Sequence, residues 1–193
     1  ITKANKDYVL LTNAPRPNKV VKTILEKMGM SKEIRDKVYS SGEASLSYLK
    51  KNYSSKSFYH IGPTRDFDLF SDFKKNKSND IKDSQYLLCT GLFEEQAEDL
   101  NYFKDLLKEH INKIMICTNP DLIVDKGNRR ELCAGSVALV FEKMGGEVIY
   151  FGKPFPEVYK QAINNEGKRV LSIGDNLNTD IKGANLLNFN SLI

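Results

Sequence analysis

Short apolar runs alternate along this chain with longer stretches in which apolar residues recur every three or four positions, and this alternation sets the expected elements. Tyr8 to Thr12, Phe58 to Ile61, Tyr86 to Thr90, Lys113 to Thr118, Val148 to Phe151 and the run Val170, Leu171, Ile173 read as strands, the last of them buried. Pro17 opens a helix whose apolar face is Val20, Val21, Ile24, Leu25 and Met28, and Gly29 stops it. Ser40 and Glu43 have the spacing of a capping box ahead of a helix carrying Leu46 and Leu49. Glu94 to Ile111 has Ala97, Leu100, Phe103, Leu107 and Ile111 at helical spacing. Glu131 to Met144 is helical and ends at Gly145 and Gly146. A further helix runs from Pro156 to about Asn164, and another, rich in Ala and Leu, follows Asp180. Asp121 to Arg130 reads as a long polar loop. Strands that alternate with helices predict an α/β fold with parallel sheets and helices packed on them, and no fixed-period repeat is visible.

Composition narrows the class. The chain has 193 residues, 40% apolar and 28% charged, the balance of a globular protein able to bury a core. No run approaches the roughly 20 apolar residues that cross a bilayer, and the first residues lack the pattern of a signal peptide. The expected location is the cytoplasm, with no membrane partner. Formal charge is +4 and the lysines are dispersed, except in FKKNKSNDIKD from Phe73 to Asp83. That run reads as a solvated loop, so attraction for small anions fits and a nucleic-acid surface is not indicated. Cys89, Cys117 and Cys133 form no CxxC pair, and the only histidines are His60 and His110, which argues against a zinc site. Cys89 and Cys117 each end a strand-like run and suit small buried thiols.

Candidate chemistry gathers at three strand ends. Thr12 and Asn13 follow the first strand, Lys153 follows the strand at Val148, and Asp175 and Asp180 follow Gly174. In a parallel sheet such ends open on one edge, where α/β folds bind ligands. One or two aspartates on a tight turn, with phosphate completing the shell, suit Mg²⁺. Hydroxyl, amide and backbone N–H groups at a strand-to-helix turn suit a phosphoryl group. Each feature also has a plainer reading: Thr12 to Ala14 as an ordinary helix start, and Thr179 or Asp180 as a cap for the helix that follows.

LLTNAPRP (10–17), YFGKPFPEVY (150–159) and LSIGDNLNTDIKGAN (171–185) resemble the second, third and fourth motifs of the haloacid dehalogenase-like (HAD) hydrolases. Together with CTNPDLIV (117–124), their order is similar to subfamily IIA, the 4-nitrophenylphosphatase-like and sugar or nucleotide phosphatases. The resemblance implies a three-layer, doubly wound parallel α/β core, residues 1–32 and 147–193, and an inserted α/β cap, residues 33–146. It further implies an Mg²⁺-dependent phosphatase acting on a small phosphorylated metabolite through an aspartyl-phosphate intermediate. Thr12, Asn13 and the backbone near Ala14 would hold the phosphoryl oxygens. Lys153 would neutralise charge and orient the nucleophile, and Asp175 would bind the metal with Asp180 in support. Arg129 and Arg130 are candidates for contacts to the leaving group, and a homodimer would form through the cap.

One departure is large. Family members carry an Asp nucleophile in a DxD pattern at the end of the first strand, ahead of the threonine motif, where this chain has only Asp7. Its one DxD, Asp66 with Asp68, comes after that motif and reads as the start of a surface helix. The expectation is a fragment that lacks the first motif and is itself inactive. The alternative is a catalytically silent binding or assembly module on the same fold.

Overall fold

The computed structural model describes residues 6–163 and 168–193, with the side chains of Phe67, Asp68, Leu69 and Lys126 outside that description. The element order is β1 (Leu10–Thr12), α1 (Asn18–Lys27), α2 (Lys32–Arg35), β2 (Val38–Ser40), α3 (Ser41–Asn52), β3 (Phe58–Ile61), a 3-10 helix (Thr64–Asn76), β4 (Tyr86–Cys89) and α4 (Leu100–Leu107). There follow β5 (Ile114–Cys117), β6 (Ile123–Lys126), β7 (Arg129–Leu132), α5 (Ala134–Lys143), β8 (Glu147–Tyr150), α6 (Pro156–Ala162), β9 (Leu171–Ile173), a π-helical turn (Leu177–Ile181), α7 (Lys182–Leu186) and β10 (Asn190–Leu192). The fold is mixed α/β with parallel sheets, as the alternating pattern predicts. The chain divides into two compact units, one of Ile1–Ala44 with Gly152–Ile193 and one of Ser45–Phe151.

The second unit is built on a four-stranded parallel sheet in the order β3-β4-β5-β8. Side chains alternate across it. Leu87, Cys89, Met115 and Cys117 meet Phe103, Leu107, Val137, Ala138 and Phe141 of α4 and α5 on one face. On the other, Phe58 and Tyr86 join an aromatic group in which Tyr53 lies 4.7 Å from Tyr86 and Tyr48 lies 5.2 Å from Phe151. Residues buried on both faces explain why β4 is apolar throughout rather than alternating. The three thiols are buried and free, as two of them were expected to be, and burial pushes Cys89 up to about 12 and Cys133 up to about 11. Such thiols stay protonated and unreactive.

The first unit holds two separate two-stranded parallel sheets, β1 with β2 and β9 with β10. The expected buried strand at Val170 to Ile173 is corrected here: Leu171 is 56% and Ile173 61% exposed. β9 pairs on one side only among the described residues, so its apolar side chains lack the cover that a central parallel strand receives.

Other expectations are also revised. The helix expected over Glu94 to Ile111 is shorter, because the Asp99 carboxylate accepts hydrogen bonds from the N–H groups of Asn101 and Tyr102 and so starts α4 at Leu100. The polar loop Asp121 to Arg130 is largely a β-hairpin, β6 and β7, turning at Gly127 with φ +61°, and the helix expected from Glu131 begins only at Ala134. Asp66 is buried rather than on a surface helix. The side chain of its DxD partner Asp68 lies outside the described residues, as does Asn164, the expected end of α6. Among the described residues no helix is long and apolar enough to cross a membrane.

Candidate functional site

β1 delivers Thr12 and Asn13 to a turn that is fixed from the β2–α3 junction. Ser41 Oγ and the Gly42 N–H both donate to the Ala14 carbonyl, at 2.9 and 3.1 Å, and Ser40 Oγ donates to the Arg16 carbonyl at 2.6 Å. A side chain at position 42 would collide with the Pro15 and Arg16 backbone, so glycine is required for this approach. Only half of the expected capping box forms. The Glu43 N–H donates to Ser40 Oγ at 3.1 Å, but the Glu43 carboxylate accepts from the Asn18 N–H at 2.9 Å, so it holds α1 instead of its own helix start.

Within the turn, the Ala14 N–H donates to Thr12 Oγ1 at 3.2 Å. Asn13 is buried, and its amide clamps the backbone of Lys153 from both sides: Nδ2 donates to the Lys153 carbonyl at 2.9 Å, and Oδ1 accepts from the Lys153 N–H at 2.6 Å. Residues 140 apart in sequence are thereby locked together. The side-chain amide expected at a phosphoryl oxygen is engaged by the main chain, which gives Asn13 the geometry of a positioning residue.

The lysine so held extends to the third motif. Lys153 Nζ lies 2.7 Å from Asp180 Oδ1, with side-chain exposures of 17% and 11%. The other oxygen of Asp180 accepts from the Asn176 N–H at 3.3 Å. Gly174 lets this carboxylate sit close against the end of β9, since a Cβ there would run into Asp180. The cap of the following helical turn is neither Thr179 nor Asp180 but Asn176, whose side chain accepts from the N–H groups of Asn178 and Thr179. Nearby, burial first and the Asp180 charge second push Tyr159 up to about 12, so its phenol stays neutral.

Asp175 differs from Asp180. It is exposed, and its carboxylate makes no hydrogen bond or ion pair with the described residues. No three His, Cys, Asp or Glu side chains gather into a closed metal site among the described residues. The donor set fits a hard ion of the Mg²⁺ kind, which is held by one or two carboxylates while water and phosphate oxygens fill the remaining positions. Of the two aspartates, Asp175 has its oxygens available and Asp180 has both engaged.

The structure therefore links Asn13, Lys153 and Asp180 by hydrogen bonds, with Thr12 next to Asn13 in the chain, and Asp175 stands five residues from Asp180 on the same turn. Arg129 and Arg130 are on the β6–β7 hairpin of the other unit, both exposed, with Arg130 Nε 3.0 Å from Asp125 Oδ1. Sequence reasoning missed Ser40 and Ser41, which fix the turn, and Asn176, which starts the helix. The signal for Asn176 was available, since Asn two and three residues before the N–H groups it accepts is a common cap.

The arrangement has counterparts among known proteins. A haloacid dehalogenase-like hydrolase family matches residues 1–74, and a HAD-hydrolase-like family matches residues 150–193. A dihydroxyacetone phosphatase from Corynebacterium glutamicum (strain R) is 25% identical over 199 residues, covering 95% of this chain and 67% of its own. Among solved structures, a haloacid dehalogenase-like family hydrolase from Brucella suis 1330 superposes with a TM-score of 0.82 at 28% identity, covering 95% of this chain and 74% of that one. A p-nitrophenyl phosphatase from Archaeoglobus fulgidus shares the fold at a TM-score of 0.74 and 16% identity, covering 98% and 74%.

Proposed function

We propose, on the premise that this chain belongs to the haloacid dehalogenase-like hydrolases, that it is a phosphomonoesterase acting on a small phosphorylated metabolite and carries the phosphate-holding and metal-holding residues of that reaction. The observation that carries the reading is the continuous link Asn13, Lys153, Asp180, in which the residue after Thr12 fixes the backbone of Lys153 and the ammonium group of Lys153 meets Asp180. The relatives that are phosphatases by name support the same chemistry.

In this mechanism the Thr12 hydroxyl and the backbone N–H groups of the turn donate to the non-bridging phosphoryl oxygens. Lys153 neutralises charge that builds on those oxygens in the transition state, and Asn13 fixes the lysine backbone so that little reorganisation is needed as the charge develops. Asp180 aims the ammonium group, and Asp175 would hold Mg²⁺. The bound ion would supply Lewis-acid stabilisation of the phosphoryl oxygens. Attack on phosphorus is assigned to an aspartate that becomes transiently phosphorylated. Arg129 and Arg130 are proposed to meet the leaving group, and a cap-mediated homodimer belongs to the same reading.

The alternative is a catalytically silent binding module on the same fold. The two readings separate in an assay of the protein on 4-nitrophenyl phosphate with and without Mg²⁺. The phosphatase reading expects Mg²⁺-dependent release that Asp175→Asn abolishes while the circular dichroism spectrum is unchanged. Turnover that survives in Asp175→Asn would reject the metal role, and a protein without any release would favour the silent module.

A further inference from the structure

The links that run from Asn13 through Lys153 end at Asp180, so the place of the ammonium group depends on what holds the aspartate. Asp180 sits in the π-helical turn Leu177–Ile181. The peptide group ahead of it, between Thr179 and Asp180, is held at both ends. Its N–H donates to the Asn176 carbonyl at 2.9 Å, and its carbonyl accepts from the Tyr159 hydroxyl at 3.5 Å, the long end of hydrogen-bonding reach. Asn176 is a neighbour in the chain. Tyr159 is not: it comes from α6, the helix that follows Lys153, so one side chain ties the element after the lysine to the turn that carries its partner.

The contact is built into the packing. Tyr159 is buried, and its ring lies edge-on to Phe189 with centroids 6.4 Å apart. A Cβ on Gly183 would fall 2.2 Å from the Tyr159 hydroxyl oxygen, so the glycine is what lets the phenol reach the start of α7. The helix that bears Tyr159 is itself anchored, since Gln161 Oε1 accepts from the Tyr39 hydroxyl at 3.1 Å. Phenylalanine would fill the same space as the tyrosine ring. What it lacks is the hydroxyl, whose one partner among the described residues is the Thr179 carbonyl. The phenol stays neutral at ordinary pH, so it donates its proton and adds no charge beside the aspartate.

We propose that Tyr159 is a positioning residue for Lys153: by fixing the peptide group ahead of Asp180 it sets the carboxylate that aims the ammonium group at phosphate. The inference rests on the phosphate-holding role given to Lys153 above, and the phenol acts on that lysine only through Asp180.

The test is a double-mutant cycle on the binding of inorganic phosphate with Mg²⁺ present, read from the Thr12, Asn13 and Ala14 amides of the isotope-labelled chain. Tyr159→Phe keeps the buried ring and is expected to melt within about 4 °C of the wild type. In the wild-type background it is expected to weaken phosphate binding roughly threefold to fivefold, the lower part of what one hydrogen bond supplies. In Lys153→Ala there is no ammonium group to aim, and Tyr159→Phe is expected to change nothing. Without ligand, the same substitution is expected to move the Asp180 amide signal and the Lys153 Cε signal. Unchanged affinity in the wild-type background, equal weakening in both backgrounds, or an unmoved Lys153 signal overturns the proposal. A wild-type chain that binds no phosphate overturns the role of Lys153 itself, an outcome set apart from the others because it appears before any substitution at Tyr159.

Discussion

The two units use strands of similar length and composition in opposite ways. In the second, β3, β4, β5 and β8 share one parallel sheet, and Leu87, Leu88, Met115 and Ile116 are fully buried. In the first, β1 and β9 each pair on one side among the described residues, and Leu171 and Ile173 remain more than half exposed. An apolar run is therefore a strand signal in both places, but burial follows from pairing and from the helices laid over the sheet. The second unit is built on one continuous apolar core; the first buries Val21, Val38, Val158 and Ala184 and, as well, the bonded polar residues Asn13, Ser40, Ser41 and Asp180.

The sharpest way to break this contrast is to delete the same kind of side chain from each unit. Leu88→Ala, at a site with no solvent exposure, is expected to cost about 2–5 kcal/mol of stability. Ile173→Ala is expected to cost less than about 1 kcal/mol, since most of that side chain never leaves water. Urea unfolding read by a probe in each unit measures both, and equal costs would contradict the contrast.

Next in size is a dependence on pH confined to the second unit. His60 Nε2 lies 2.8 Å from Thr90 Oγ1, and burial first and the Lys77 charge second lower the His60 pKa from 6.5 to about 4. Between those values the unfolded chain binds the proton and the folded one does not. Stability is therefore full above about pH 6.5 and falls as the pH drops toward 4, by roughly 3 kcal/mol in total. His60→Gln is expected to flatten that fall; an unaltered pH profile in the variant would assign the loss elsewhere.

In the first unit the matching experiment removes a polar partner. Asp180→Ala leaves Lys153 partly buried without its carboxylate, at an expected cost of about 2 kcal/mol, below the range for fully buried pairs because both side chains retain some exposure. Asp180→Asn is expected to cost less, since the amide oxygen still accepts. The smallest effect returns to the aromatic face of the second unit. The Tyr86 hydroxyl is buried without a hydrogen-bond partner among the described residues, so Tyr86→Phe is expected to leave stability unchanged or raise it by about 1 kcal/mol. A clear loss in the thermal melt would mean that the phenol is satisfied by a buried water.

Much of this was legible in the residues, for identifiable reasons. Strands of the large sheet announced themselves because both their faces are buried, and Pro17, Gly29 and Gly145 marked helix ends through backbone chemistry that acts locally. Thr12, Lys153 and Asp180 were each legible as polar residues after a strand, but among the described residues those strands lie in three different sheets, β1 with β2, β8 in the four-stranded sheet and β9 with β10, and not in the single parallel sheet expected. Less local features were not. β2 is three residues long, too short to show alternation. The β6–β7 hairpin hid behind exposed charges, although Ile123 and Val124 ahead of Gly127 and Asn128 carry a hairpin signal. Exposure of β9 depends on which strands lie beside it, and sequence periodicity does not report neighbours. The clamp from Asn13 to Lys153 joins residues far apart in sequence, so the local reading of Asn13 as a phosphate contact could not anticipate it.

The turn after β1 and the ammonium group of Lys153 are proposed to hold one phosphate between them. The direct measurement is the phosphate-induced shift of the Thr12, Asn13 and Ala14 amides in the presence of Mg²⁺, compared between the wild-type chain and Lys153→Ala. The account predicts saturable shifts in the wild type and binding at least tenfold weaker in the variant. Unshifted amides in the wild type, or the same midpoint without the lysine, would contradict it.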